Sequence, residues 1–238
     1  MSRRDGAAGT SAPKPPGGPA RAPAQVSAPA PAAHCTPSAV FAGCRAWLGL
    51  AALLGVGAVL AFALPSSLDG LLDGQPGRWL AQPWRLWTAA WVHWTPMHLA
   101  ANAAGLLVLA LYGCAAEVRP REALAWALAW PLTHLALALW TAPPLPHYGG
   151  LSGVLHAGVA VASMALLARR GRWRAVGAAV WLGLLAKLWA ESPWWPWSAG
   201  AGGIAWDVAI APQAHAAGVA AGLLGALAVG LASRQAPR

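Results

Sequence analysis

Six apolar runs, each near the roughly 20 residues that cross a hydrocarbon core, constrain this chain more than anything else in it. They fall at about 45–64, 96–116, 121–141, 149–169, 173–191 and 209–232. Between them lie short segments carrying Pro, Gly and the charged residues. Composition agrees: 58% of the residues are hydrophobic and 10% are charged, where a soluble domain carries about a quarter charged. The expected fold class is therefore all-α and polytopic, a six-transmembrane-helix bundle over 45–232. Residues 1–44, rich in Ala, Pro and Gly, read as a disordered cytoplasmic tail, and 233–238 as a short cytoplasmic end.

Charge placement orients the bundle. All Lys and Arg except Arg78, Arg85 and Lys187 lie in or beside the tail, the 117–122 turn, the Arg169–Arg174 turn or the C-terminus. That is the positive-inside distribution, so both termini are expected in the cytoplasm. The formal net charge of +9 follows this topology; no basic helix or aromatic-interleaved groove suggests nucleic acid. Lys187, near the outer end of span five, can snorkel to the headgroups. Cys35, Cys44 and Cys114 have no metal-ligand spacing and lie toward the inner side, where reduced thiols are expected. Trp84, Trp87, Trp91 and Trp94 recur at helical spacing in the first outer loop, 65–95. Trp194, Trp195, Trp197 and Trp206 mark a second aromatic cap, and interfacial tryptophan accounts for both.

Polar residues inside apolar spans are costly and mark function. They are His98 and Asn102 in span two, Ser152 and His156 in span four, and His215 in span six. All three spans enter from the outer side, each of these residues lies within about the first two turns of its span, and Ser152 and His215 both fall about 5–10 Å below the outer boundary. Gly149 and Gly153 on span four, and Gly218 and Gly222 on span six, have the four-residue spacing that lets membrane helices approach closely. If those faces meet, Ser152 can attack a carbonyl while neutral His215 takes its proton. His98 and Asn102, four apart on one face, can donate to the resulting oxyanion, and the Ser152 N–H can be a third donor. Asp207 is the nearest acid to His215 in sequence and falls in a loop, so a dyad without a carboxylate is expected. His134 reads as a packed or interfacial histidine, His147 as a solvated loop residue, and Glu117 as structural. No metal or cofactor is expected, since no HExxH or cysteine-bearing ligand set is present.

The ordered set Trp84-Arg85, His93, His98-x-x-x-Asn102, Gly150-Leu151-Ser152-Gly153 and Ala214-His215-x-x-Gly218-x-x-x-Gly222 resembles the motifs of the rhomboid intramembrane serine proteases. The resemblance runs through all six spans and leaves out only the N-terminal tail. It implies that Ser152 is the nucleophile, His215 the base, His98 with Asn102 the oxyanion hole, and Arg85 the structural arginine of the first outer loop, with His93 in support. Many rhomboids carry a tyrosine four residues after the serine that stacks on the catalytic histidine; here the residue is His156. Gly-Leu-Ser-Gly-Val-Leu-His is similar to the rhombosortase branch, whose expected clients are bacterial single-pass proteins with a C-terminal Gly-Gly-type transmembrane sorting tag. The implied location is the bacterial inner membrane, with the active site opening to the outer side. His156 is left open between stacking on His215, bonding Ser152 and filling space. The alternative to a protease is a catalytically silent rhomboid-like protein that binds membrane clients.

Overall fold

The computed structural model describes residues 37–139, 145–191 and 210–235. Six long helices carry most of them: α1 (Pro37–Phe62), α4 (Pro96–Ala115), α5 (Pro120–Ala138), α6 (Ser152–Leu167), α7 (Arg172–Glu191) and α8 (Pro212–Gln235). The loop after α1 holds two single-turn helices, α2 (Asp69–Leu72) and α3 (Arg85–Thr88). The protein is thus an all-α, polytopic membrane bundle. Phe41–Phe62, Pro96–Ala115 and Pro212–Ala232 are each long and apolar enough to cross a bilayer unaided. α6 is apolar but has only 16 residues, and it is walled in by other helices rather than by lipid.

Local chemistry sets the starts that matter. Thr95, in extended backbone, accepts a hydrogen bond from the His98 N–H, and Pro96 takes the first helical position. That is the N-cap and N1 pairing expected of Thr and Pro. Pro120 and Pro212 likewise open α5 and α8. Glu122 accepts from the Arg119 N–H at 2.8 Å, satisfying one of the donors left free at the start of α5.

α6 is the centre of the bundle, packed on α8, α7, α5 and α4. Small residues allow this. A side chain at Gly218 would overlap the Gly153 carbonyl, so α6 and α8 meet there backbone to backbone. Gly222 approaches the Ala157 carbonyl in the same way one turn on. Gly149 differs from its expected part in this seam: it lies before α6 and packs on Val92 and Trp94 instead. Elsewhere indoles fill the core. Trp47 and Trp126 pack at 4.3 Å between ring centroids, and their N–H groups donate to the carbonyls of Leu109 and Val154. Burying an indole requires such a partner.

Three expectations are corrected. α1 begins at Pro37, so residues 37–44 belong to a helix and not to the tail; residues 1–36 lie outside the described residues. That longer helix brings Cys44 beside Cys114 in the last turn of α4, and the two form a disulfide with a Cα–Cα distance of 5.0 Å. The expectation of reduced thiols rested on the side of the membrane, whereas proximity decides which cysteines meet. Third, Trp91 leaves the tryptophan stripe. It packs against Gly57 of α1 and edge-on to Trp130 at 5.6 Å, while Trp84, Trp87 and Trp94 stay partly exposed. The second aromatic cap and Asp207 lie outside the described residues.

Candidate active site

The first turns of α4, α6 and α8 converge on one cavity of about 120 Å³. Its lining includes His98, Asn102, Ser152, His215, Trp94 and Gly150. A cavity needs only about 10–15 Å³ to hold a water, so this one has room for several. Ser152 is the first residue of α6, where a backbone N–H has no intrahelical acceptor. His215 is buried.

The segment before α6 presents this serine. Gly150 has φ of +111°, a conformation in which a Cβ is strained. Its Cα also lies against the α4 pair: a Cβ there would sit 2.6 Å from His98 Nε2 and 3.4 Å from Asn102 Nδ2. Glycine is therefore required twice over. The Gly150 N–H donates to the Ala89 carbonyl at 2.9 Å, and Tyr148 exchanges two backbone bonds with Gly74. Tyr148 also donates its hydroxyl to the His134 carbonyl at 3.1 Å. His134 itself is buried, its Nδ1 on the Leu86 carbonyl at 2.7 Å, as a packed histidine should be.

In the loop between α1 and α4, Arg85 is 2% exposed. It donates to the Asp73 carboxylate at 2.8 Å, to the Asp73 and Gly70 carbonyls, and to Gln82. His147 is exposed, as expected of a solvated loop residue, and its Nδ1 also bonds the other Asp73 oxygen at 2.6 Å. The arginine knot thereby reaches the segment that carries Gly150 and Ser152.

His93 orients Asn102. Its Nδ1 meets the Trp91 carbonyl at 3.0 Å, and a carbonyl only accepts, so Nδ1 carries the proton. Burial pushes the imidazole down to about 4, against the Trp91 bond, which raises it. At neutral pH His93 Nε2 is therefore a lone-pair acceptor, and Asn102 Nδ2 donates to it at 3.1 Å. One amide hydrogen is held in this way, and the amide's orientation beside Gly150 with it.

His156 both stacks and bonds. Its ring lies 4.2 Å from the His215 ring at an interplanar angle of 15°. Its Nδ1 donates to the Ser152 backbone carbonyl at 2.6 Å, not to the hydroxyl.

The expectation that no carboxylate reaches His215 is corrected. Glu191, the last residue of α7, places Oε2 2.6 Å from His215 Nδ1, and its other oxygen pairs with Lys187. The sequence places Lys187 near the end of span five and does not by itself pair Glu191, four residues on, with His215. The available signal was an acid in the last turn of an apolar helix, four residues after a lysine.

Such an arrangement can perform acyl chemistry. A hydroxyl at a helix N-terminus, a buried imidazole and a fixed amide donor surround a space open to water. If the cavity carries out such acyl transfer with Asn102 as an oxyanion donor, Asn102→Ala is expected to lower kcat by about 10²–10³ with KM little changed. Steady-state cleavage of a fixed transmembrane reporter in detergent measures it. A change confined to KM would assign Asn102 to substrate docking instead.

No curated protein matches the chain. The family model for the rhomboid domain matches residues 80–232, well over half of the 238 residues, and contains every residue that lines the cavity. The chain belongs to the rhomboid family.

Proposed function

We propose that this protein is an intramembrane serine endopeptidase that cleaves a single-pass client near the outer membrane boundary. One observation carries the reading: Ser152, His215, His98 and Asn102, from three different helices, line a single cavity. Ser152 supplies the nucleophile and His215 the base, with His98 and Asn102 as oxyanion donors. Six helices cross the inner membrane, the termini are cytoplasmic and the cavity opens outward, as the placement of Lys and Arg favours. Within the family we place the chain in the rhombosortase-like branch, on Gly150-Leu151-Ser152-Gly153-Val154-Leu155-His156. The client then ends in a Gly-Gly pair, an apolar helix and a basic cluster.

Helix physics supports that client. A peptide in a helix hides its carbonyls in the backbone ladder, and the scissile bond must unwind first. Glycine costs about 1 kcal/mol of helix stability relative to alanine, so a Gly-Gly pair at the outer helix end opens most easily. The test is co-expression with a reporter ending in Gly-Gly, an apolar span and an Arg cluster. Release is expected, should require Ser152, and should be suppressed when both glycines become leucine. Equal cleavage of the leucine version would remove the tag and leave the peptidase; no Ser152-dependent release from any client would leave a client-binding protein.

A further inference from the structure

The polar tie between α7 and α8 is made by a residue outside the motifs that carry the family resemblance. Glu191 is one-fifth exposed, and its two oxygens are committed to different partners: Oε2 to His215 Nδ1, Oε1 to the Lys187 ammonium one turn back. α7 otherwise packs mainly against α6 and has few neighbours on α8. The carboxylate therefore reaches across to the imidazole rather than meeting it through a general helix contact.

A carboxylate offers only acceptors. The Nδ1 facing Glu191 must carry a proton, and a neutral imidazole has one N–H. His215 Nε2 is then left with its lone pair, the form a base needs. Without the carboxylate the two tautomers compete, and the one protonated at Nε2 cannot accept from a hydroxyl. The ring plane is set as well. His156 stacks at 4.2 Å on one face, and the Glu191 bond fixes rotation within that plane. The groups facing the Glu191–His215 pair are Lys187 on α7 and His156 on α6, and Ser152 lines the same cavity as His215.

We propose that Glu191, steadied by Lys187, is a positioning residue for His215 that makes the site a serine–histidine–glutamate triad. The inference rests on the reading of Ser152 and His215 as nucleophile and base. In the acylation step the Ser152 Oγ–H proton passes to His215 Nε2. The Oγ–carbon bond forms, and the carbonyl π pair moves to the oxygen facing His98 and Asn102. Collapse of that oxyanion breaks the C–N bond, and Nε2 returns the proton to the leaving amine. Glu191 takes no proton at any stage. It holds Nδ1–H and balances the imidazolium while that charge exists, as a buried carboxylate does in other serine hydrolases.

Two measurements on the full-length protein in detergent micelles decide it. Ring ¹⁵N spectra of histidine-labelled protein, with His215 assigned by its absence in His215→Ala, should place the wild-type proton on Nδ1. The Glu191→Gln variant should lose that placement, because an amide can also donate to Nδ1. In the reporter assay Glu191→Gln should lower kcat by about 10⁴-fold with KM and thermal midpoint little changed, the loss seen when a triad carboxylate becomes an amide. A merely structural tie would move the midpoint and leave the tautomer alone. A wild-type proton on Nε2, or undiminished kcat in Glu191→Gln, overturns the proposal. If wild type shows no Ser152-dependent cleavage yet Glu191→Gln erases the Nδ1 proton, the peptidase reading fails and the positioning of His215 stands.

Discussion

Ser152→Ala and His215→Ala are each expected to lower reporter cleavage by about 10⁶-fold, and the double variant no further, because nucleophile and base act as one unit. The two replacements differ in what they leave behind. Ser152 is half-buried at the start of α6, and removing its hydroxyl leaves the His156 bond to its backbone carbonyl in place. Removing the His215 ring takes away the stacking partner of His156 and strands the Glu191 oxygen that faced Nδ1. Leaving a largely buried polar group without its partner costs stability as well as activity. Ser152→Ala should therefore insert and melt like wild type, whereas His215→Ala should melt earlier. Single-turnover release in detergent, with thermal midpoints measured on the same preparations, separates the effects. Retained cleavage in Ser152→Ala removes the serine mechanism outright.

Much of this site was legible in the sequence because polarity stands out against an apolar background. His98, Asn102, Ser152 and His215 each interrupt an otherwise apolar run, and spans entering from one side put them near one level. The small residues of α6 and α8 were legible for a similar reason: a four-residue period survives without any knowledge of the partner. What escaped has no period. Glu191 ends an apolar run, where a charge is ordinary, and only its contact with a residue 24 positions away gives it meaning. His147 and Asp73 are 74 apart, in loops that carry no repeating pattern. Gly149 reads from the sequence as part of a helix face, and Gly150 as lying inside the 149–169 run. The positive φ of Gly150 instead ends the loop and puts Ser152 at the helix start. The start of α1 was hidden by Pro, Ala and Gly around Cys44, a composition shared with the segment before it. The disulfide to Cys114 was missed with it.

Arg85→Ala is expected to release the loop between α1 and α4 by about 3–5 kcal/mol, the cost of removing one partner of a buried ion pair. The guanidinium is what the loop is folded around. Its four bonds reach Gly70, Asp73 and Gln82, and Thr88 adds a bond to the Leu72 carbonyl at 2.6 Å. Without it the Asp73 carboxylate keeps only Gln75 and His147 as donors, in a place that is 3% exposed. Arg85→Lys should recover little, since an ammonium cannot reproduce the planar fork that spans these acceptors. The release should be local first. Hydrogen exchange of amides 69–91 should accelerate by about 10²-fold or more, as that energy implies, before α4, α5 and α6 respond. Cleavage should fall too, because the loop's Gly74 and Ala89 hold Tyr148 and Gly150. In a double-variant cycle, Arg85→Ala with Asp73→Ala should cost clearly less than the sum of the singles, since the second change removes the stranded charge. Additive losses, or unchanged exchange in Arg85→Ala, would show that the loop is held by its backbone bridge to Tyr148 and not by the arginine.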